Sequence, residues 1–120
     1  MKLYYAPGAC SLADHIALHE AGQAFDIERV KGYVPALVLP DGQLLTENIA
    51  VLDHLASLYP QLAPAGPLGR SRLIEALAFI STELHRAFKP MWHGGSERER
   101  AHAAETVTGH LRLMCDAMKG

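Results

Sequence analysis

Cys10 stands at the start of a stretch, residues 10–21, whose composition suits a helix. A thiol there meets free backbone N–H groups and the positive end of the helix dipole, both of which favour a thiolate. The position equally suits a small buried hydrophobe. Tyr5 and Ser11 bracket it with hydroxyls, although Tyr5 also fits a packed strand end and Ser11 a helix cap. A second group lies between Tyr33 and Tyr59. A cis Val34–Pro35 peptide at a strand start would turn the Val34 N–H and C=O toward an extended peptide. Asn48 opens a helix whose first N–H groups suit a carboxylate. Glu47 beside it would accept an ammonium. A ligand with an α-amino-acid end and a peptide-like tail fits all three features.

The elements that must carry these residues follow from periodicity and breakers. Residues 3–5 read as a strand, 6–9 as a loop and 10–21 as a helix closed by Gly22. Leu12, Ala13, Ile16 and Ala17 form the expected buried stripe of that helix. Residues 25–30 alternate as a second strand. Residues 34–39, a Pro40-Asp41-Gly42 turn and residues 43–46 make a hairpin. Ile49, Leu52, Leu55 and Tyr59 then recur at helical spacing. The order predicts a thioredoxin-like α/β domain over 1–60 and, through its prolines and glycines, a linker over 61–69. A helical lobe follows over 70–120. Within it, one long helix over 70–89 shows Leu73, Leu77, Ile80, Leu84 and Phe88. After breaks at Pro90 and Gly94–Gly95, the Ser96-Glu97-Arg98-Glu99 capping box starts a last helix with Ala104, Val107, Leu111, Met114 and Met118 on one stripe.

KGYVPALVLPDGQLLTENIAVLDHLA resembles the glutathione-binding hairpin and helix of glutathione S-transferases. MKLYYAPGACSLADHIALHEAG resembles the opening of the bacterial beta class, marked by a cysteine at this place, and STELHRAF its first long C-terminal helix. The matches run in order through most of residues 1–88. The resemblance implies a transferase that joins glutathione, as substrate, to a small electrophile. Glutathione would lie along Val34 and Pro35, with its γ-glutamyl end at Glu47 and Asn48 and its sulfur at Cys10. Tyr5 and Ser11 match hydroxyls that other classes set near that sulfur, and His85 matches a histidine facing the active site. The family has a serine more often than Asn48 at that position. It also has a further helix and loop, with a glutathione-contacting lysine, where this chain passes from Val30 to Lys31. Lys31 is not equated with that lysine. Two other readings stand beside this one. The first is a glutaredoxin-like thiol–disulfide oxidoreductase using Cys10, and the second a non-catalytic binding module.

A net charge of −2 over 120 residues offers no basic footprint for nucleic acid or anionic membrane. No stretch is long and apolar enough to span a bilayer, and the first residues lack a signal-peptide core. Two distant cysteines fit a reducing compartment, so the cytoplasm is expected. His15 and His19 have the spacing of a helical metal pair, but no third ligand accompanies them, and a solvated helix face is the simpler reading. No metal is expected. Cys115, on the last helix, reads as structural. The apolar stripes of the last two helices, which further helices partly cover in the resembled family, predict a homodimer.

Overall fold

The computed structural model describes residues 1–119; Gly120, the last residue of the expected helical lobe, lies outside them. β1 (Lys2–Tyr5) leads to α1 (Ser11–Glu20), β2 (Asp26–Arg29), β3 (Ala36–Val38), β4 (Leu44–Thr46) and α2 (Asn48–Leu58). A 3-10 turn at Pro60–Leu62 precedes α3 (Gly69–Phe79), and α4 (His85–Ala87), α5 (Lys89–Trp92) and α6 (Glu97–Lys119) follow. The residues form two compact units, Met1–Ile74 and a second from Glu75 onward.

In the first unit the strand order is β2-β1-β3-β4. β1 runs parallel to β2 and antiparallel to β3, which pairs antiparallel with β4. This mixed sheet with two helices is the expected thioredoxin-like arrangement. β2 and β3 flank β1, so residues 30–35 need only cross it. Two strand spacings amount to roughly 10 Å, well within reach of an extended segment of that length. The Val30 N–H bonds the Tyr5 carbonyl at 3.0 Å, continuing the sheet by one residue before the chain turns away. The β3–β4 turn forms as its residues require. Leu39 N–H reaches the Gln43 carbonyl and Gly42 N–H the Leu39 carbonyl, each at 2.9 Å. Gly42 sits at φ +85°, where a side chain would be strained.

Leu3, Leu18, Leu37, Val51 and Leu55 make the fully buried core, with Leu3 and Leu37 opposite each other in the β1–β3 register. The buried face of α1 differs from the expected stripe: it carries Ser11, Asp14 and Leu18. Leu12 and Ile16 are instead 59% and 52% exposed. Periodicity counts apolar residues, and it fails here because two polar side chains find partners inside. Ala17, from the expected stripe, does pack against the core. β2 is shorter than expected and exposed throughout, as an edge strand can be. On α2 the buried residues are Val51, Leu55 and Ala56.

The second unit corrects the expectation of one long helix over 70–89. α3 ends at Phe79, a π turn covers Ile80–Leu84, and two short helices follow. The Thr82 hydroxyl donates to the Ala78 carbonyl at 3.0 Å, which competes with the regular ladder. Pro90 lies in the first turn of α5, where its missing N–H costs no bond. The capping box forms as expected: Ser96 N–H and Oγ–H donate to Glu99 Oε2 at 2.7 Å each, and Glu99 N–H reaches Ser96 Oγ at 3.3 Å. α6 buries Ala103 and Val107, while Leu111 and Met118, assigned to its inner stripe, are exposed. The His110 ring meets Phe79 edge-on with centroids 5.3 Å apart, so a histidine takes part of the face assigned to apolar residues.

Leu37→Ala should lower stability by about 2–5 kcal/mol, because it empties a fully buried site between sheet and helices. Arg70→Ala, which breaks an exposed bidentate pair to Asp53 (3.0 and 2.7 Å), should shift the urea midpoint far less. Equal shifts in urea denaturation of the two variants would contradict this placement of the core.

Candidate active site

Cys10 caps the N-terminus of α1 at the end of a tight loop. Ser11 braces that loop: its buried hydroxyl accepts from the Ala6 N–H (3.3 Å) and donates to the Ala6 carbonyl (3.4 Å). The brace directs the Cys10 side chain to Val34, whose carbonyl accepts from the thiol at 3.7 Å. Val34–Pro35 is cis, as expected, and Pro35 is buried beneath it. Two predicted site residues distant in sequence therefore touch.

Glu47 joins β4 to α2 at φ +68°, ψ 123°, a sparsely populated conformation for a residue with a side chain. Its carbonyl accepts the Val51 N–H at 2.9 Å, so its backbone is committed to the start of α2. Its carboxylate stays on the surface and accepts from the Tyr33 hydroxyl at 2.5 Å. That bond to a carboxylate raises the Tyr33 phenol above its ordinary range. Tyr33 was not singled out from sequence, although its place directly before Val34 put it within reach.

The Asn48 side chain faces α1. Its amide nitrogen is assigned toward Asp14 Oδ2 (2.9 Å), Asp14 Oδ1 (3.2 Å) and the Cys10 carbonyl (3.2 Å). The Cys10 carbonyl can only accept, so an amide oxygen there would oppose another oxygen. The side chain thus ties α2 to α1, and the first turn of α2 keeps backbone N–H groups without intrahelical partners. Asp14, unnoticed in the sequence, is fully buried. Burial pushes its carboxyl up to about 7, against the weaker pull of its own backbone N–H. A carboxylate four residues after a helix-start cysteine, and so one turn along the same face, was the available signal.

The thiol itself departs from the expected low pKa. Cys10 is exposed as a residue, yet its surroundings desolvate the sulfur, and this raises the pKa most. The Asp14 charge raises it next, backbone N–H groups of Cys10 and Ser11 oppose, and Glu47 adds a smaller upward push. Desolvation and two carboxylates therefore outweigh the helix N-terminus.

The Tyr5 ring lies 6.0 Å from that of His15. His15 and His19 pack edge-on against Phe25, so the face expected to be solvated is partly an aromatic cluster. Among the described residues no three His, Cys, Asp or Glu side chains gather as metal ligands. His85 belongs to the second unit, directly after the π turn, with its ring 5.0 Å from Trp92. Cys115 is an exposed free thiol on α6.

A mixed four-stranded sheet with a cis-proline turn, a cysteine at the first helix and a strained acid before the second defines a thioredoxin-like thiol site. Glutathione S-transferase GstA of Escherichia coli O157:H7 is 42% identical over 120 residues, covering 82% of this chain and 60% of that protein. A sphingomonad glutathione S-transferase, solved in complex with glutathione, superimposes with a TM-score of 0.82 at 40% identity, covering 100% of this chain and 71% of that one. The beta-class enzyme of Sphingomonas chungbukensis gives 0.77 at 41% identity over 95% and 68%. No family model matches the chain. The chain belongs to the glutathione S-transferase family. It spans about 60% of the length of the E. coli relative.

The raised Asp14 carboxyl has a signed consequence for stability. Between the ordinary aspartate range near 3.8 and the native value near 7, the folded chain holds a proton that the unfolded chain has released. Its contribution is complete below that window and lost as pH rises through it, by up to about 4 kcal/mol. Urea denaturation from pH 5 to 8 should show falling stability in the parent and a flatter profile in Asp14→Asn. A parent profile that rises over this range would contradict the assignment.

Proposed function

We propose that the chain is a beta-class-like glutathione transferase. It holds glutathione along the Val34 backbone, with the γ-glutamyl end at Glu47 and the first N–H groups of α2, and the sulfur at Cys10. The observation that carries this reading is the 3.7 Å contact between the Cys10 thiol and the Val34 carbonyl, next to an acid held at φ +68°. A strand-start backbone, a carboxylate and a thiol close together suit the cysteinyl backbone, the γ-glutamyl ammonium and the sulfur of glutathione.

A thiol kept protonated serves as an S–H donor. In the proposed step the glutathione thiol releases its proton to solvent and its sulfur attacks an electrophilic carbon. A C–S bond forms as the bond to the leaving group breaks. The α1 N-terminus and the Cys10 S–H, turned from the Val34 carbonyl to the bound ligand, stabilise the sulfur's negative charge before attack, and fixing its position supplies proximity. The raised Cys10 pKa weighs against the glutaredoxin-like alternative, which needs Cys10 itself as thiolate. Ser11 supports the loop, and Tyr5 lies on the strand before it. Residues 30–35 stand in for a longer connection that supplies ligand contacts in the resembled family, so affinity is expected to be modest. The free thiols of Cys10 and Cys115 fit a cytoplasmic, detoxifying role. Exposed Leu111, Leu113 and Met118 on α6 support a homodimer.

With glutathione and an aryl halide, the parent should form the thioether, and Cys10→Ala should lower kcat. Glu47→Gln should raise KM for glutathione by roughly tenfold, the loss of one charge-assisted contact. Cys10-dependent reduction of a glutathionyl disulfide without conjugation would favour the oxidoreductase, and no glutathione binding at millimolar concentration would favour a non-catalytic module. Light scattering at micromolar protein should give twice the 13.1 kDa chain mass. A stable monomer would defeat the dimer.

A further inference from the structure

Asp14 is the one fully buried carboxylate of the described chain, and the proposed reaction does not use it. It lies one helical turn after Cys10 on α1, and among the described residues it meets Asn48, the first residue of α2, across elements. The Asn48 amide nitrogen faces both Asp14 oxygens and the Cys10 carbonyl within 3.2 Å. Cys10 caps α1, and Glu47 immediately precedes Asn48. One amide and one carboxylate therefore link the thiol to the acid across two helix starts. We propose that Asp14 is a positioning residue of the site: through Asn48 it ties the first turn of α1 to the first residue of α2, fixing the Cys10 thiol relative to Glu47. This deepens the transferase reading and rests on it for the identity of the ligand.

Two physical effects make the tie consequential. The half-buried Asn48 amide is the partner of the fully buried Asp14 carboxyl, and leaving either group unmatched costs a hydrogen bond, so α1 and α2 are held at the spacing that satisfies both. The same carboxylate acts on the sulfur through its charge, raising the Cys10 pKa after desolvation. Glu47, from the junction before α2, is the other carboxylate bearing on that thiol. On the other side of α1, His15 turns its ring to Tyr5 of β1, to His19 and to Phe25. Asp14 thus sets where the thiol lies and how readily it ionises. A purely space-filling residue would affect neither property through its charge.

The test uses the full chain in a Cys115→Ser background, so that Cys10 is the sole thiol. Iodoacetamide alkylation is followed against pH, and glutathione is titrated by calorimetry, for the parent, Asp14→Asn and Asp14→Ala. Asp14→Asn removes the charge and keeps an acceptor for the Asn48 amide. Its alkylation midpoint should fall by roughly half to one pH unit, as expected on losing a nearby like charge. It should bind glutathione several-fold more tightly than Asp14→Ala, whose affinity should drop by roughly tenfold below the parent because the amide keeps only the Cys10 carbonyl and loses its tie to the α1 carboxylate. An alkylation profile for Asp14→Asn that superimposes on the parent overturns the proposal, as does an Asp14→Ala affinity equal to the parent's. Should Asp14→Ala fail to fold, Asn48→Ala removes the same tie from the α2 side, and a glutathione affinity equal to the parent's there overturns the proposal. A parent that binds no glutathione defeats the transferase reading, while the alkylation comparison still decides the role of Asp14.

Discussion

The Asn48 amide, set between the Asp14 carboxylate and the Cys10 carbonyl, is the contact on which the rest of the first unit's arrangement turns. Apolar packing of Leu3, Leu18, Leu37, Val51 and Leu55 supplies most of the driving force for bringing helices and sheet together. Such burial is non-directional, so the area removed from water does not by itself fix how two helix starts meet. A half-buried amide facing three oxygens, two of them on a fully buried carboxyl, is directional. It has one good position, and that position sets the starts of α1 and α2 side by side.

The backbone of the site has a comparable economy. β1 is central, and its two neighbours are the strands on either side of residues 30–35. A short extended link crosses from one flank to the other and ends at Tyr33 and Val34, where the Cys10 sulfur and the Glu47 carboxylate find their partners. The strain at Glu47 has a clear structural setting. Its carbonyl opens the α2 ladder while its side chain stays on the surface, a combination that places the residue outside the ordinary helical region.

Much of this was legible in the sequence, and the misreadings share a cause. The hairpin and α2 were readable because Pro40-Asp41-Gly42 and the glutamate-asparagine step are local signals acting over a few residues. The capping box at Ser96 was readable for the same reason. The inner face of α1 was misread because Ser11 and Asp14 become acceptable in a core only through partners at Ala6 and Asn48, which no periodicity count contains. The Cys10 pKa was misread in the same way. The helix dipole is local and visible, whereas desolvation and the charge of Glu47 arise only when the chain folds back. The break in the expected helix over 70–89 came from the π turn at Ile80–Leu84, where Thr82 bonds Ala78 in a manner that composition does not announce.

The central claim is that one surface, built from the Cys10 loop, the Val34 carbonyl and the Glu47–Asn48 junction, receives a single extended peptide thiol. The most direct measurement is a glutathione titration followed by backbone amide NMR on the isotopically labelled full chain. The account predicts saturable shifts at Cys10, Ser11, Val34, Glu47, Asn48 and Ile49, all fitting one dissociation constant, with the β2 edge at Asp26–Arg29 unmoved. Shifts centred away from these residues, or different constants at Cys10 and Glu47, would contradict it.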